Sequence, residues 1–175
     1  NENSVDLCEN HKKHIILPAP ATLDRKPYTV GPVTQGIRLS NAKTGAAYQF
    51  LVYPKGAFIL HMIRMMMYNQ GGKGDVKFQV MMKDFIQTHF NQDVSTEDFK
   101  AAVEKHMGGN MDWFFNEWVY GIEMPSYRFD YQLADGGTTL TGKITQSGVS
   151  DKFKMLVPVY IDSGKGWVKV GAAWM

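Results

Sequence analysis

The side chains of this chain that could do chemistry gather in two places. Near the start, Cys8, His11 and His14 stand in the run Cys8-Glu9-Asn10-His11-Lys12-Lys13-His14. A thiol and two imidazoles at such spacing can hold zinc, although no fourth ligand stands near them, and a solvated, charged chain end is the other reading. Further along, Val52-Tyr53-Pro54-Lys55-Gly56-Ala57-Phe58-Ile59-Leu60-His61-Met62-Ile63-Arg64 sets a tyrosine at the mouth of an apolar helix. A phenol fixed there can donate a hydrogen bond to a developing oxyanion. The plainer reading of Tyr53 is a core tyrosine capping a helix, and chemistry alone leaves both open. Pro54 suits a helix start, where its missing N–H costs nothing, and Gly56 is expected to let another segment approach closely.

Other chemistries lack their residues. The chain contains no His-Glu-x-x-His and no Gly-x-Ser-x-Gly elbow. Cys8 has no fixed base to lower its pKa. Gly71-Gly72-Lys73-Gly74 lacks the following Ser or Thr of a phosphate loop. His61, His89 and His106 stand singly on predicted helices, as packing or capping residues. Arg64 shares a stripe with His61 and Tyr68 in an otherwise apolar helix, so it needs an acidic partner or carbonyls; a structural ion pair is expected.

The elements that must position these groups divide into three stretches. Residues 1–49 are broken by Pro18, Pro20, Pro27, Gly31, Pro32, Gly36 and Gly45, and read as an irregular connector or insertion with short strands at most, one or two of them between Tyr28 and Leu39. Residues 50–125 carry helical periodicity. A first helix, Lys55 to Asn69, is apolar almost all round, as in a helix enclosed by protein. A second spans about Asp75 to Phe90. A third opens at Ser95 with Asp98 three residues on, a start like a capping box, and a fourth runs from about Asn110 to Tyr120. The methionines Met62, Met65, Met66 and Met67 read as core filling. From residue 126 to 175 the period changes to that of strands: Tyr127, Phe129, Tyr131 and Leu133 alternate with polar residues as a half-buried strand. Asp135-Gly136-Gly137 turns into Thr138–Gln146, and further strands follow over Phe153–Ile161 and Trp167–Trp174. Four strands of this kind make one open sheet with an apolar face to cover. The fold class is α+β, a helical array of about four helices followed by an antiparallel β unit.

Composition sets bounds on partners. The chain has 175 residues, with 19 basic against 17 acidic side chains and a net charge of +2, too even to offer a field to nucleic acid. With one cysteine there is no internal disulfide, and no apolar stretch is long enough to span a bilayer. The start without Met and the apolar run Val168–Met175 at the other end suggest a piece of a longer protein.

Several segments, taken in order, resemble one family. Tyr53-x-Lys55-Gly56-Ala57, followed by an apolar helix with Met62-x-Arg64, resembles the tyrosine segment of the aminopeptidase N-like family of gluzincin zinc metallopeptidases. Phe78 to Phe90 is similar to its next helix, Val94-Ser95-Thr96-Glu97-Asp98-Phe99 to its Thr-Glu-Asp-Phe capping segment, and Asp112 to Val119 to its Phe-Phe-x-x-Trp stretch. Gly121 to Pro125 resembles the ending of the catalytic domain, and Leu140 to Gln146 the opening of the β-sandwich domain after it. The resemblance covers about Phe50 to Val159.

The resemblance implies that this chain is the C-terminal part of a peptidase catalytic domain with the start of the following β domain. In the family, the tyrosine stabilises the tetrahedral intermediate opposite a zinc-bound water, a role that falls on Tyr53. Zinc is held by the two His and a Glu that precede the tyrosine, so it is implied for the full-length parent and none is expected in this chain. The implied partners are an upstream zinc-binding half and a peptide substrate. The implied function is that of a fragment of a zinc-dependent aminopeptidase, inactive alone; the alternative is a non-catalytic, peptidase-like interaction module. Pro54 departs from the Glu that many members carry there, without touching the phenol.

Overall fold

The computed structural model describes residues 26–69, 71–162, 164 and 166–175. Cys8, His11 and His14 lie outside the described residues, as does much of the expected connector. The chain divides into two compact units between Ile122 and Glu123. Its class is α+β, helices first and antiparallel strands after.

The first unit begins with helical turns where short strands were expected. Pro27–Thr29 and Val33–Leu39 are 3-10 turns, and α1, Gly45–Phe50, is already α-helical. Among the described residues before Ser126 the only strand-like pairing is an isolated bridge between Asn69 and Gly74. Proline sets φ but does not forbid a helical turn that begins with it, and Pro27 is the first residue of one. The sequence from Gly45 to Phe50, with two alanines, has no breaker inside it. Ala47 and Leu51 are buried against Leu39, with Tyr28, Val30 and Tyr48 packed around them.

Helix α1 leads without interruption of helical backbone into a widened π turn, Leu51–Lys55, and then into α2, Gly56–Met67. Pro54 is therefore inside a helix rather than at its start. Its ring cannot donate to the Phe50 carbonyl and would crowd it in a regular α turn. The wider π turn is a known way to absorb such a mismatch. Helix α2 buries Ile59, Met62, Ile63 and Met67 but leaves Leu60 and Tyr68 partly exposed. It is thus one-sided among the described residues, not enclosed all round.

Helix α3, Val76–Thr88, and helix α4, Thr96–Met107, pack against each other. Helix α4 starts with the expected capping box: Asp98 N–H donates to Ser95 Oγ at 3.2 Å and Ser95 N–H to Asp98 Oδ2 at 2.8 Å. It ends at Gly108, whose φ of 78° is the left-handed cap that glycine accepts without strain. The last helical stretch is a single turn, α5, Asp112–Phe114, widening into a second π turn, Phe115–Val119. Met81, Val103, Met111, Phe114, Phe115 and Trp118 are buried, and Phe85, Phe99 and Phe115 make a chain of ring contacts at 5.2 and 6.4 Å.

The second unit holds β1, Ser126–Ala134, β2, Thr139–Ser147, β3, Leu156–Asp162, and β4, Trp167–Trp174. They pair as two separate antiparallel hairpins, β1–β2 and β3–β4, rather than as one four-stranded sheet. The alternation in β1 does sort side chains to two faces, but neither is covered: every residue of the strand is exposed, Phe129 at 43% and Tyr131 at 61%. A two-stranded ribbon has no layer of its own to bury a face against. Phe129 instead lies over Gly142 on the neighbouring strand, where a side chain would collide with the ring. No described helix is long and apolar enough to cross a membrane.

Candidate functional site

Tyr53 stands in the π turn between α1 and α2, with its side chain in solvent at 60% exposure. This excludes the reading of a core tyrosine. The backbone that carries it is held on both sides: Leu51 is fully buried in the Leu39–Ala47 cluster, and Pro54 and Lys55 are buried beyond it. The backbone that carries this exposed phenol is thus set before any ligand arrives, which favours a donor for charge stabilisation at a reaction centre.

Lys55 provides the longest tie. Its residue is 2% exposed, and Nζ donates to the Gly121 carbonyl at 3.0 Å, 66 positions along the chain. The anchor reaches the turn after the second π segment, and there Gly121 is required sterically. A Cβ at that position would lie 2.5 Å from the Glu117 carbonyl oxygen and 2.8 Å from that of Asn116. Taking an ammonium out of water disfavours its charged form, and burial lowers Lys55 from the ordinary 10.5 to about 8. Sequence reasoning placed Lys55 in a motif but did not foresee its burial.

Next to Tyr53 lies a second phenol. The rings of Tyr48 and Tyr53 meet edge to face, with centroids 6.0 Å apart and planes at 81°. The Tyr48 hydroxyl is held protonated above its ordinary value, first by side-chain hydrogen bonding to Tyr53, then by burial and by the charge that Tyr53 would bring. No sequence signal singled out Tyr48, because residues five apart do not face each other on a regular α-helix.

On α2, Arg64 makes the ion pair expected of it. Nε and Nη2 donate to Asp75 Oδ1 and Oδ2 at 2.8 and 2.5 Å, a two-pronged contact with the residue before α3. The guanidinium holds Asp75 below the usual carboxylate range. His61 is half-buried one turn before Arg64; burial first, and then the Arg64 charge, lower its affinity for a proton. Gly56 does not serve the close approach expected of it, since a Cβ there would meet nothing within 4 Å. His89 ends α3 against the Phe85 ring, and His106 on α4 bonds Asp84 on α3 at 2.8 Å. These histidines act in packing and pairing.

Among the described residues, no three His, Cys, Asp or Glu side chains converge as metal ligands. The described residues therefore do not fit a zinc site. What they assemble is a solvent-facing hydroxyl on an anchored turn, with a second phenol beside it and a buried lysine in the same turn.

The sequence model of the peptidase family M1 domain matches residues 22–118. The match takes in residues 22–49, which none of the motifs above reached, as well as the Tyr53 turn and helices α1 to α4. It stops within the second π turn and does not extend to the β hairpins. No curated protein matches the chain at a significant level.

Proposed function

The chain belongs to peptidase family M1, whose domain accounts for more than half of its residues, and on that premise we propose that it is the tyrosine-bearing part of a zinc-dependent aminopeptidase. The observation that carries this reading is the exposed Tyr53 phenol on a turn anchored by Leu51, Pro54 and Lys55. When a nucleophile adds to the scissile carbonyl of a peptide's first residue, negative charge collects on the carbonyl oxygen. Tyr53 donates its O–H to that oxygen, and the bond strengthens as the charge develops. Its contribution therefore falls mainly on the transition state and not on substrate binding.

Among the described residues no three candidate ligands for the metal that the family uses converge, and Tyr53 needs none to act as a donor. The zinc-binding residues belong to a part of the protein outside them. In the same reading, residues 50–125 are the helical end of the catalytic domain and residues 126–175 a β domain that follows it. The limit of the first compact unit at Ile122 supports that division.

The test is hydrolysis of aminoacyl amides by the protein that unites this chain with a His-Glu-x-x-His segment, with and without Tyr53→Phe. Loss of turnover at unchanged zinc content supports the reading. Zinc and turnover both absent from the unaltered protein would sink it and leave an interaction module.

A further inference from the structure

Two ties hold the backbone that carries Tyr53, and they differ in kind. On one side Leu51 is packed in the Leu39 and Ala47 cluster, an apolar contact with no preferred direction. On the other, Lys55, two residues after Tyr53, is 2% exposed and donates through Nζ to the Gly121 carbonyl at 3.0 Å. A hydrogen bond has both a length and a direction. Between the two, Pro54 has no N–H to give to the turn, so the backbone beside the phenol lacks one of its own bonds.

The far end of the Lys55 bond is itself held. Gly121 follows the second π turn, in which Phe115, Trp118 and Val119 are buried. Tyr120 N–H donates to the Phe115 carbonyl at 2.9 Å, and the Tyr120 hydroxyl donates to Glu97 on α4. A Cβ on Gly121 would collide with the Glu117 and Asn116 carbonyls, so this residue sits hard against the turn before it. Taking an ammonium out of water has a cost that an apolar side chain of similar length does not, and burial draws Lys55 down to about 8. Packing alone does not call for a lysine here; a directed bond across 66 positions does.

We propose that Lys55 is a positioning residue for Tyr53, its bond to the Gly121 carbonyl holding the Tyr53 turn at the setting from which the phenol meets the substrate's oxyanion. The inference rests on the functional reading given above. Lys55 touches no reacting atom and acts only through Tyr53. A shift of about 1 Å in a reacting geometry can cost roughly a hundredfold in rate, so cutting the tie is felt in kcat.

The test is made in the zinc-loaded protein, read as kcat and KM on an aminoacyl amide. Lys55→Met fills similar space without a donor. It is expected to be no less stable than the wild type at pH 7, yet to lower kcat about ten- to hundredfold at unchanged KM and zinc content. Made on top of Tyr53→Phe, it is expected to change kcat by less than about twofold, since no hydroxyl is left to position. Gly121→Ala displaces the acceptor instead of the donor; it should show the same pattern, and it decides the question if Lys55→Met does not fold. Full kcat in either variant, beside an impaired Tyr53→Phe, overturns the inference and leaves the functional reading standing. An equal loss with and without the Tyr53 hydroxyl also overturns it, because a general loosening of the fold would act without Tyr53. Full kcat in Tyr53→Phe overturns the functional reading, and this inference falls with it.

Discussion

Replacing Lys55 by methionine separates the structural role of the buried lysine from everything else that titrates. The side chain is 2% exposed and its ammonium donates to the Gly121 carbonyl at 3.0 Å. Burial brings it from 10.5 to about 8. Between those values the unfolded chain still holds the proton that the folded chain has released, so native stability rises with pH across the window. At about 1.4 kcal/mol per pH unit the rise amounts to about 3 kcal/mol, absent at pH 7 and fully gained by about pH 10.5. Lys55→Met removes the buried charge and with it this slope, but leaves the Gly121 carbonyl without its donor, at a cost of about 1–3 kcal/mol. Near pH 7 the relief of the buried charge outweighs or equals the lost hydrogen bond, and the variant should be about 0–2 kcal/mol more stable than the wild type. At pH 10 it should be the less stable by about the carbonyl's cost. The assay is urea unfolding at pH 7, 8, 9 and 10 on both proteins. Other lysines and tyrosines titrate in each and cancel in the difference. Parallel stability curves over the whole range would refute the reasoning, because they would mean that Lys55 keeps its proton folded as it does unfolded.

Four further outcomes are expected. Ser95→Ala removes the hydroxyl that accepts from Asp98 N–H and should cost about 1 kcal/mol in a denaturant titration. Asp75→Asn weakens the two-pronged contact with Arg64, whose side chain is 40% exposed; the loss should stay within about 1 kcal/mol and shrink in high salt. Met81→Ala opens a cavity at a fully buried position between helices and should cost about 2–5 kcal/mol. On the same helix the exposed Ile86→Ala should change stability by no more than about 0.5 kcal/mol.

What the sequence disclosed follows the range of the physics involved. The capping box at Ser95 and Asp98 is local, written in residues three apart, and it forms as read. The need of Arg64 for a counter-charge was legible from one cation in an apolar helix. Its partner Asp75 was not named, because the fold of the intervening turn brings the two together. The π turn at Leu51–Lys55 was missed because Pro54 was read by its preference for helix starts. The unbroken run from Gly45 to Phe50 ahead of it was the available signal that a helix had already begun. Tyr53 was found through its motif, whereas Tyr48 stayed hidden, since its relation to Tyr53 exists only once the turn widens. The burial of Lys55 depends on a carbonyl 66 residues away and leaves no local trace. In the β unit, alternation marked the four strands, although β3 begins at Leu156 and not at Phe153. It said nothing of how the four strands divide into two hairpins or of the exposure of Phe129 and Tyr131, which are matters of tertiary packing.

The most direct test of Tyr53 as the oxyanion donor is the steady-state kinetics of Tyr53→Phe in the zinc-loaded protein, read as kcat and KM separately on an aminoacyl amide. The ring is kept and only the hydroxyl is lost, at a position 60% exposed and outside the core. The expected result is a kcat lower by roughly 10²–10³-fold, with KM and bound zinc unchanged. An unchanged kcat, or a loss confined to KM, would contradict the assignment.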